Sequence, residues 1–480
     1  MQAVIQEGPR SSRRIAPVML TFTDHSQGTS RLHRRDFLRI GGLGLGGLGL
    51  SDLMAASQHK LLKDKSVIFL FMHGGPSQFE TFDPKMNAPS EIRSVTGEIK
   101  TTIPGVTFGG TFERLARLAD KFSIVRSFVT GDAVHDIKTI VGKDTMKANV
   151  GSLYSRIAGP LRKGSAMPTN VALFPQAISS SAMPVIKKFG DFTSSGDFGA
   201  TSQPFVPGTG SGAQADMTLN MPQGRLGDRR TLLASLDQWK RSMDASEALG
   251  GISDLQSLAF DVLRRGVSDA FDLSKEDPRL IARYDTSKLL PKDRISTQWN
   301  NREHYADNAA TLGKLLLMAR RLCERGCGFV TVTTSFVWDM HADNNNAPCR
   351  TGMDYVGRPF DHAVSALIED IEARGLSEKI MLVCCGEMGR SPKLNAKGGR
   401  DHWGGLAPLM IYGGGLKMGQ VIGQSARDGG EPSSEPVTIP DLISTIMHTL
   451  VDLGEARVTD GLPPGLINVL TRGQPIRGLV

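Results

Sequence analysis

The sequence predicts an α/β fold with a mostly parallel central sheet and helices on both faces, and three observations predict it. Two uninterrupted apolar runs of strand length, residues 66–72 and 380–385, have no polar face and read as strands buried on both sides. From residue 301 onward, segments of helical periodicity alternate with short β-rich runs, the pattern of right-handed βαβ crossovers. Both apolar runs stop at polar tips bounded by glycine, which is where open α/β sheets bind ligands.

In chain order, the run 66–72 is the first core strand, and it ends in the turn His73-Gly74-Gly75-Pro76-Ser77. Helical spacing of Phe112, Leu115, Ala116 and Ala119 precedes a strand at 122–127, and 169–174 is a further short strand. His135 lies between acids just before an expected helix. From 177 to about 300 the chain is first rich in Ser, Gly, Pro and Met, then amphipathic over 228–243 and 253–271. This stretch is expected to be an insertion covering one side of the sheet. A helix through Arg325 is closed by Gly326, a strand follows at 329–334, and a helix over 358–374 stops at Gly375. After the strand at 380–385 come a strand at 408–412 and a last long helix beginning at Pro440.

Composition excludes several classes. The 480 residues are 22% charged and 40% hydrophobic, ordinary for a globular chain with a substantial core. The net charge of +7 is partly local: residues 1–56 hold seven Arg against four acids, a net +3, which leaves +4 for the rest. No Lys/Arg tract marks a nucleic-acid partner. The five cysteines are too few and too scattered for a disulfide framework, and Cys323 and Cys327, four apart with no second pair, are expected to pack.

The N-terminus predicts export. His33-Arg34-Arg35-Asp36-Phe37-Leu38-Arg39 precedes an uncharged run of Gly, Leu and Ile over 40–50 and then Ala55-Ala56-Ser57, a twin-arginine type of signal. Residues 1–57 are therefore read as an extension and signal peptide, and 65–480 as the folded domain. The partner implied is the twin-arginine export machinery, and the location periplasmic or cell-surface. The apolar run is too short to span a bilayer, and no later segment reaches that length.

The strand ends carry the candidate chemistry. Asp339 and His341 follow the strand at 329–334, Glu387 follows the strand at 380–385, and Asp401 and His402 lie in the loop before the strand at 408–412. If these strands are neighbours in one parallel sheet, the five side chains converge. Mixed Asp, Glu and His ligands suit Zn²⁺ or Mn²⁺, whereas carboxylates alone favour Mg²⁺ or Ca²⁺. Such a centre can serve attack on a phosphate or sulfate ester. Arg390 or Arg400 would clamp the anion with a planar guanidinium. His135 would be acid, base or ligand. Gly74, Gly75 and Ser77 form a loop whose backbone N–H groups suit an anion. His304, His362 and His448 sit on expected helices and read as packing or surface residues.

These motifs resemble a known family. Gly74-Gly75-Pro76-Ser77-Gln78 with Thr81-Phe82-Asp83-Pro84-Lys85, Trp338-Asp339-Met340-His341, Gly386-Glu387-Met388-Gly389-Arg390 and Gly399-Arg400-Asp401-His402 are similar to the bacterial domain-of-unknown-function 1501 family. The helix exit and strand over 375–386 and the late helix over 437–446, with Asp441-Leu442, resemble those of sulfatases and other members of the alkaline phosphatase superfamily. The resemblance, over roughly 35–455, implies an alkaline phosphatase-like three-layer fold.

It also shows departures. Relatives carry an Asp ligand at the end of the first strand, where this chain has Met72-His73-Gly74, and Glu387-Met388-Gly389 stands where they have Asp-His-Gly. No Cys or Ser heads the Cys/Ser-x-Pro-x-Arg sequence that formylglycine sulfatases need. By position the nucleophile would fall near 135–139, where Thr139 is a hydroxyl, with Ser127 and Thr130 nearby. The expectation is an exported metal-dependent hydrolase of phosphate or sulfate esters that does not use formylglycine. The alternatives are a relative that lost the chemistry and binds a glycan or protein, and a scaffold whose metal only holds loops.

Overall fold

A computed structural model describes residues 61–162, 165–207, 267–459 and 461–480, and the backbone of two short strands before them. Those two strands, Gln2–Val4 and Thr21–Thr23, pair antiparallel within the unit Met1–His59, and Lys60–Val480 form a separate compact unit. The Arg34-Arg35 signal and the helix expected at 228–243 lie outside the described residues, and of the helix expected at 253–271 only 267–271 are described, with Ser268–Phe271 helical.

The second unit is built on a seven-stranded sheet. In chain order its strands are β1 (Ser66–Phe71), β2 (Phe122–Val125), β3 (Asn170–Leu173), β4 (Phe329–Thr333), β5 (Ile380–Cys385), β8 (Leu409–Gly413) and β9 (Val421–Ile422). A separate two-stranded ladder, β6 (Gly389–Leu394) with β7 (Arg400–Trp403), lies between β5 and β8 in sequence. The sheet order is β9-β2-β8-β5-β1-β4-β3, and every neighbouring pair is parallel except those made by β8. The apolar runs behave as expected of strands covered on both faces. In β1, Ile68 and Leu70 join one core, while Val67, Phe69 and Phe71 join the other. All five are fully buried, each contributing about 1.5–3 kcal/mol of transfer free energy.

Helices α3 (Arg302–Glu324) and α4 (Cys349–Ala373), with the short α1 (Glu113–Arg117), cover the first face. Helices α2 (Val150–Ala158), α5 (Ile439–Leu450) and α6 (Pro464–Arg472) cover the second. The α/β class with a mostly parallel sheet between two helical layers is thus observed. Among the described residues no helix is long and apolar enough to cross a membrane.

Three local expectations are corrected. No helix follows His135: residues 131–137 form neither helix nor strand and 138–140 make a single turn, with Ile137 and Ile140 buried. Helix α4 begins at Cys349, nine residues before its expected start, and carries Pro359 inside it. Most consequential is β8, which runs antiparallel to both β5 and β2. Its first residue, Leu409, pairs with Cys385, the last of β5. The loop that enters β8 therefore lies on the edge where β1, β4 and β5 end. In a parallel strand that loop would have lain at the opposite edge.

Candidate metal centre

Three adjacent strands end level, with Phe71 opposite Thr333 on one side and Cys385 on the other. Their following loops are tied together. His73 O accepts from Val337 N and Trp338 N, both at 3.1 Å, which fixes the Asp339 loop against the end of β1. Gly74, at φ +117°, brings its backbone so close that a Cβ would sit 2.6 Å from Asp339 N. The β6–β7 ladder reaches over from the β8 side, with Arg400 N donating to Met340 O at 3.1 Å and Asn395 Nδ2 to His341 O at 2.8 Å. Gly131 N donates to Gly404 O at 3.1 Å and anchors the segment that carries His135.

The result is a cluster of His135, Asp339, His341 and His402 whose ligand atoms lie within 4.8 Å of one another. Asp339 Oδ1 is its hub, 3.0 Å from His341 Nε2 and 3.4 Å from both His135 Nε2 and His402 Nε2. A tetrahedral ion with ligands at about 2.0–2.1 Å separates them by about 3.3 Å, so these spacings fit one ion. His341 Nε2 and His402 Nε2 are closer, at 2.7 Å. The fit is strongest at His135, whose Nε2 is buried with no hydrogen-bond partner. Its Nδ1 lies 2.8 Å from Glu387 Oε1, so Nδ1 donates to the carboxylate and Nε2 turns a lone pair to the cluster.

Electrostatics match this division. Burial pushes the Asp339 carboxyl up, but the Arg390 charge and the three histidines outweigh it and hold it far below the carboxylate range. Burial lowers His135, yet Asp339 and Glu387 outweigh that and raise it, while for His402 burial prevails and lowers it. Asn346 Nδ2 donates to Asp339 Oδ2 at 3.1 Å, a contact that no motif in the sequence indicated. Phe336 and Phe189, stacked with centroids 5.0 Å apart, wall the His135 side.

The other candidate residues take different places. Glu387 is fully buried behind His135 and accepts from Gly74 N at 3.0 Å, so it stands outside the ligand cluster. Asp401 is exposed, with Oδ1 3.4 Å from His341 Nδ1, on the side away from the convergent Nε2 atoms. The anion held by the Gly74 amide is Glu387 itself, and Ser77 Oγ donates to Glu80. Both arginines are already engaged by the protein. Arg390 donates to Gly74 O, Gly75 O, Arg400 O and Asp339 Oδ1, and the rest of its fork faces His341 Nε2. Arg400 is buried against the Phe79 ring, paired with Glu80 and bonded to four backbone carbonyls. Thr139 is fully buried, its hydroxyl donating to Gly386 O at 3.3 Å. All five cysteines are buried and free.

A family model described as "Protein of unknown function (DUF1501)" matches residues 64–478. No curated protein matches the sequence. Among solved structures, the phosphonate monoester hydrolase SpPMH from Silicibacter pomeroyi aligns at TM-score 0.35 and 9% identity, over 86% of this chain and 78% of that one. The PsFucS1 sulfatase from Pseudoalteromonas sp. aligns at 0.32 and 13%, over 89% and 75%. The lipoteichoic acid synthase LtaP from Listeria monocytogenes aligns at 0.30 and 8%, over 89% and 80%. At such scores these likenesses carry no argument about chemistry.

Proposed function

We propose that this chain, which belongs to the DUF1501 family, is a metal-dependent hydrolase of phosphate or sulfate esters that uses water as its nucleophile. One observation carries the reading: three imidazole Nε2 atoms and one carboxylate oxygen converge at the carboxyl edge of the sheet. His135, Asp339, His341 and His402 would hold the ion, and a nitrogen-rich set of this kind suits Zn²⁺ or Mn²⁺ better than Mg²⁺ or Ca²⁺. When bound, a divalent ion supplies Lewis-acid polarisation of an ester oxygen and acidification of a water. The chain's own work is orientation. Glu387 fixes the His135 tautomer, and Arg390 and Asn346 hold Asp339. Thr139 and the cysteines are buried away from solvent, which supports water rather than a covalent nucleophile and argues against formylglycine. The Arg34-Arg35 signal adds export by the twin-arginine route to this proposal.

A second reading, a metal-holding protein that binds a glycan or a partner without turnover, draws on the engagement of both arginines. The test is metal analysis of natively exported protein, then assays with aryl phosphate, phosphodiester and aryl sulfate. The expected result is about one bound divalent ion and hydrolysis of at least one ester, with both lost in His402→Ala and Asp339→Ala. A loaded protein inert to all three esters would leave the second reading, and the absence of bound metal would sink both.

A further inference from the structure

Phe336 separates the histidine–aspartate cluster from a second anomaly, its ring centroid lying 4.9 Å from those of both His135 and His73. Three buried polar atoms there have no hydrogen-bond partner: His73 Nε2, His304 Nδ1 and Thr334 Oγ1. They come from the turn after β1, the first turn of α3 and the residue after β4, yet all three residues line one cavity of about 10 Å³. That is room for a single water-sized particle. His73 and Thr334 are 1% and 3% exposed. A buried polar group without a partner is destabilising, so three around one void call for an occupant.

The lining selects among occupants. It contains no carboxylate, and its side-chain donors are two imidazoles, the hydroxyls of Thr334 and Ser335 and the thioether of Met183. A divalent ion would bring two charges to a lining that offers no carboxylate ligand. The penalty grows with the square of the charge, so a monovalent ion faces about a quarter of it. Imidazole and thioether are also the donors that favour soft ions, Cu⁺ among them. The divalent centre next door has the opposite character, with a carboxylate as its hub.

We propose that the cavity is a second metal site, taking one Cu⁺ ion between His73 and His304 with Met183 and Thr334 at its walls. The test is an anaerobic Cu⁺ titration of the full chain against a chromophoric chelator. Wild type and His402→Ala are expected to retain one equivalent of copper alike, and His304→Ala to lose it while keeping the divalent ion. His304 is half-buried in the first turn of α3, so this variant spares the core, and circular dichroism checks its fold. Copper retained by His304→Ala at the wild-type level would place the ion elsewhere and overturn the site. So would a crystal grown with Cu⁺ whose cavity holds an ordered water only.

Discussion

At the residue scale the informative side chain is Glu387. It is fully buried, and its carboxylate touches a backbone amide and a histidine but no other ligand atom. Its role is to hold His135 Nδ1–H and so direct Nε2 forward. A Gln at this position keeps an acceptor oxygen, whereas Ala removes it. Glu387→Ala is therefore expected to weaken divalent-metal affinity about 10–100-fold, and Glu387→Gln much less, as read by competition with a chelator. Unchanged affinity in the Ala variant would detach Glu387 from the centre. This role was not legible in the sequence, where Gly386-Glu387-Met388-Gly389-Arg390 reads as a charged tip. The groups that bury it come from Gly74 and His135, hundreds of positions away, and no local pattern encodes such partners. Arg390 and Arg400 were visible as guanidiniums beside the site, but not that the fold itself engages their donors.

At the element scale, the buried strands and long helices were legible because burial on both faces leaves uninterrupted apolar runs and helices repeat every 3.6 residues. The direction of β8 was not, because an apolar run reads the same either way and direction is set by the connection. That connection holds the β6–β7 ladder, and its turn signals, Asn395 with Gly398-Gly399, are the cue a sequence reading could have used. Two long helices are also locked by charge. Glu276 meets Arg320 and Arg321 of α3 at 2.7 and 2.9 Å, and Asp370 of α4 meets Arg320 and Arg374 at 2.8 Å each. Burial pushes the Glu276 carboxyl up, but the arginine bonds outweigh it and hold the group at about 2. With the folded value depressed, the stabilisation is complete above the ordinary value of 4.5 and is lost as pH falls through about 2. Glu276→Gln should therefore melt below wild type at pH 7, and the gap should close between pH 4.5 and 2. A gap constant across that window would mean that the ion pairs do not carry the effect.

At the scale of the molecule, the candidate ligands join segments that the sheet alone connects only indirectly. His135 lies on the path out of β2, Asp339 and His341 follow β4, and His402 belongs to β7, on the way into β8. An ion bound to all three segments ties strands from both sides of β1 and β5, so its binding free energy adds to the stability of the whole unit. At a free concentration 100-fold above its dissociation constant, one site is worth about 2.7 kcal/mol. Zn²⁺ or Mn²⁺ is thus expected to raise the melting temperature of metal-stripped wild type by a few degrees, with further gains as the free ion rises. His402→Ala removes one ligand from a half-exposed strand without touching the buried Glu80–Arg400 pair, so its stripped form should melt near wild type and respond little to the ion. An equal rise in both proteins would place the ion elsewhere, and the convergence of the three loops would then be packing alone.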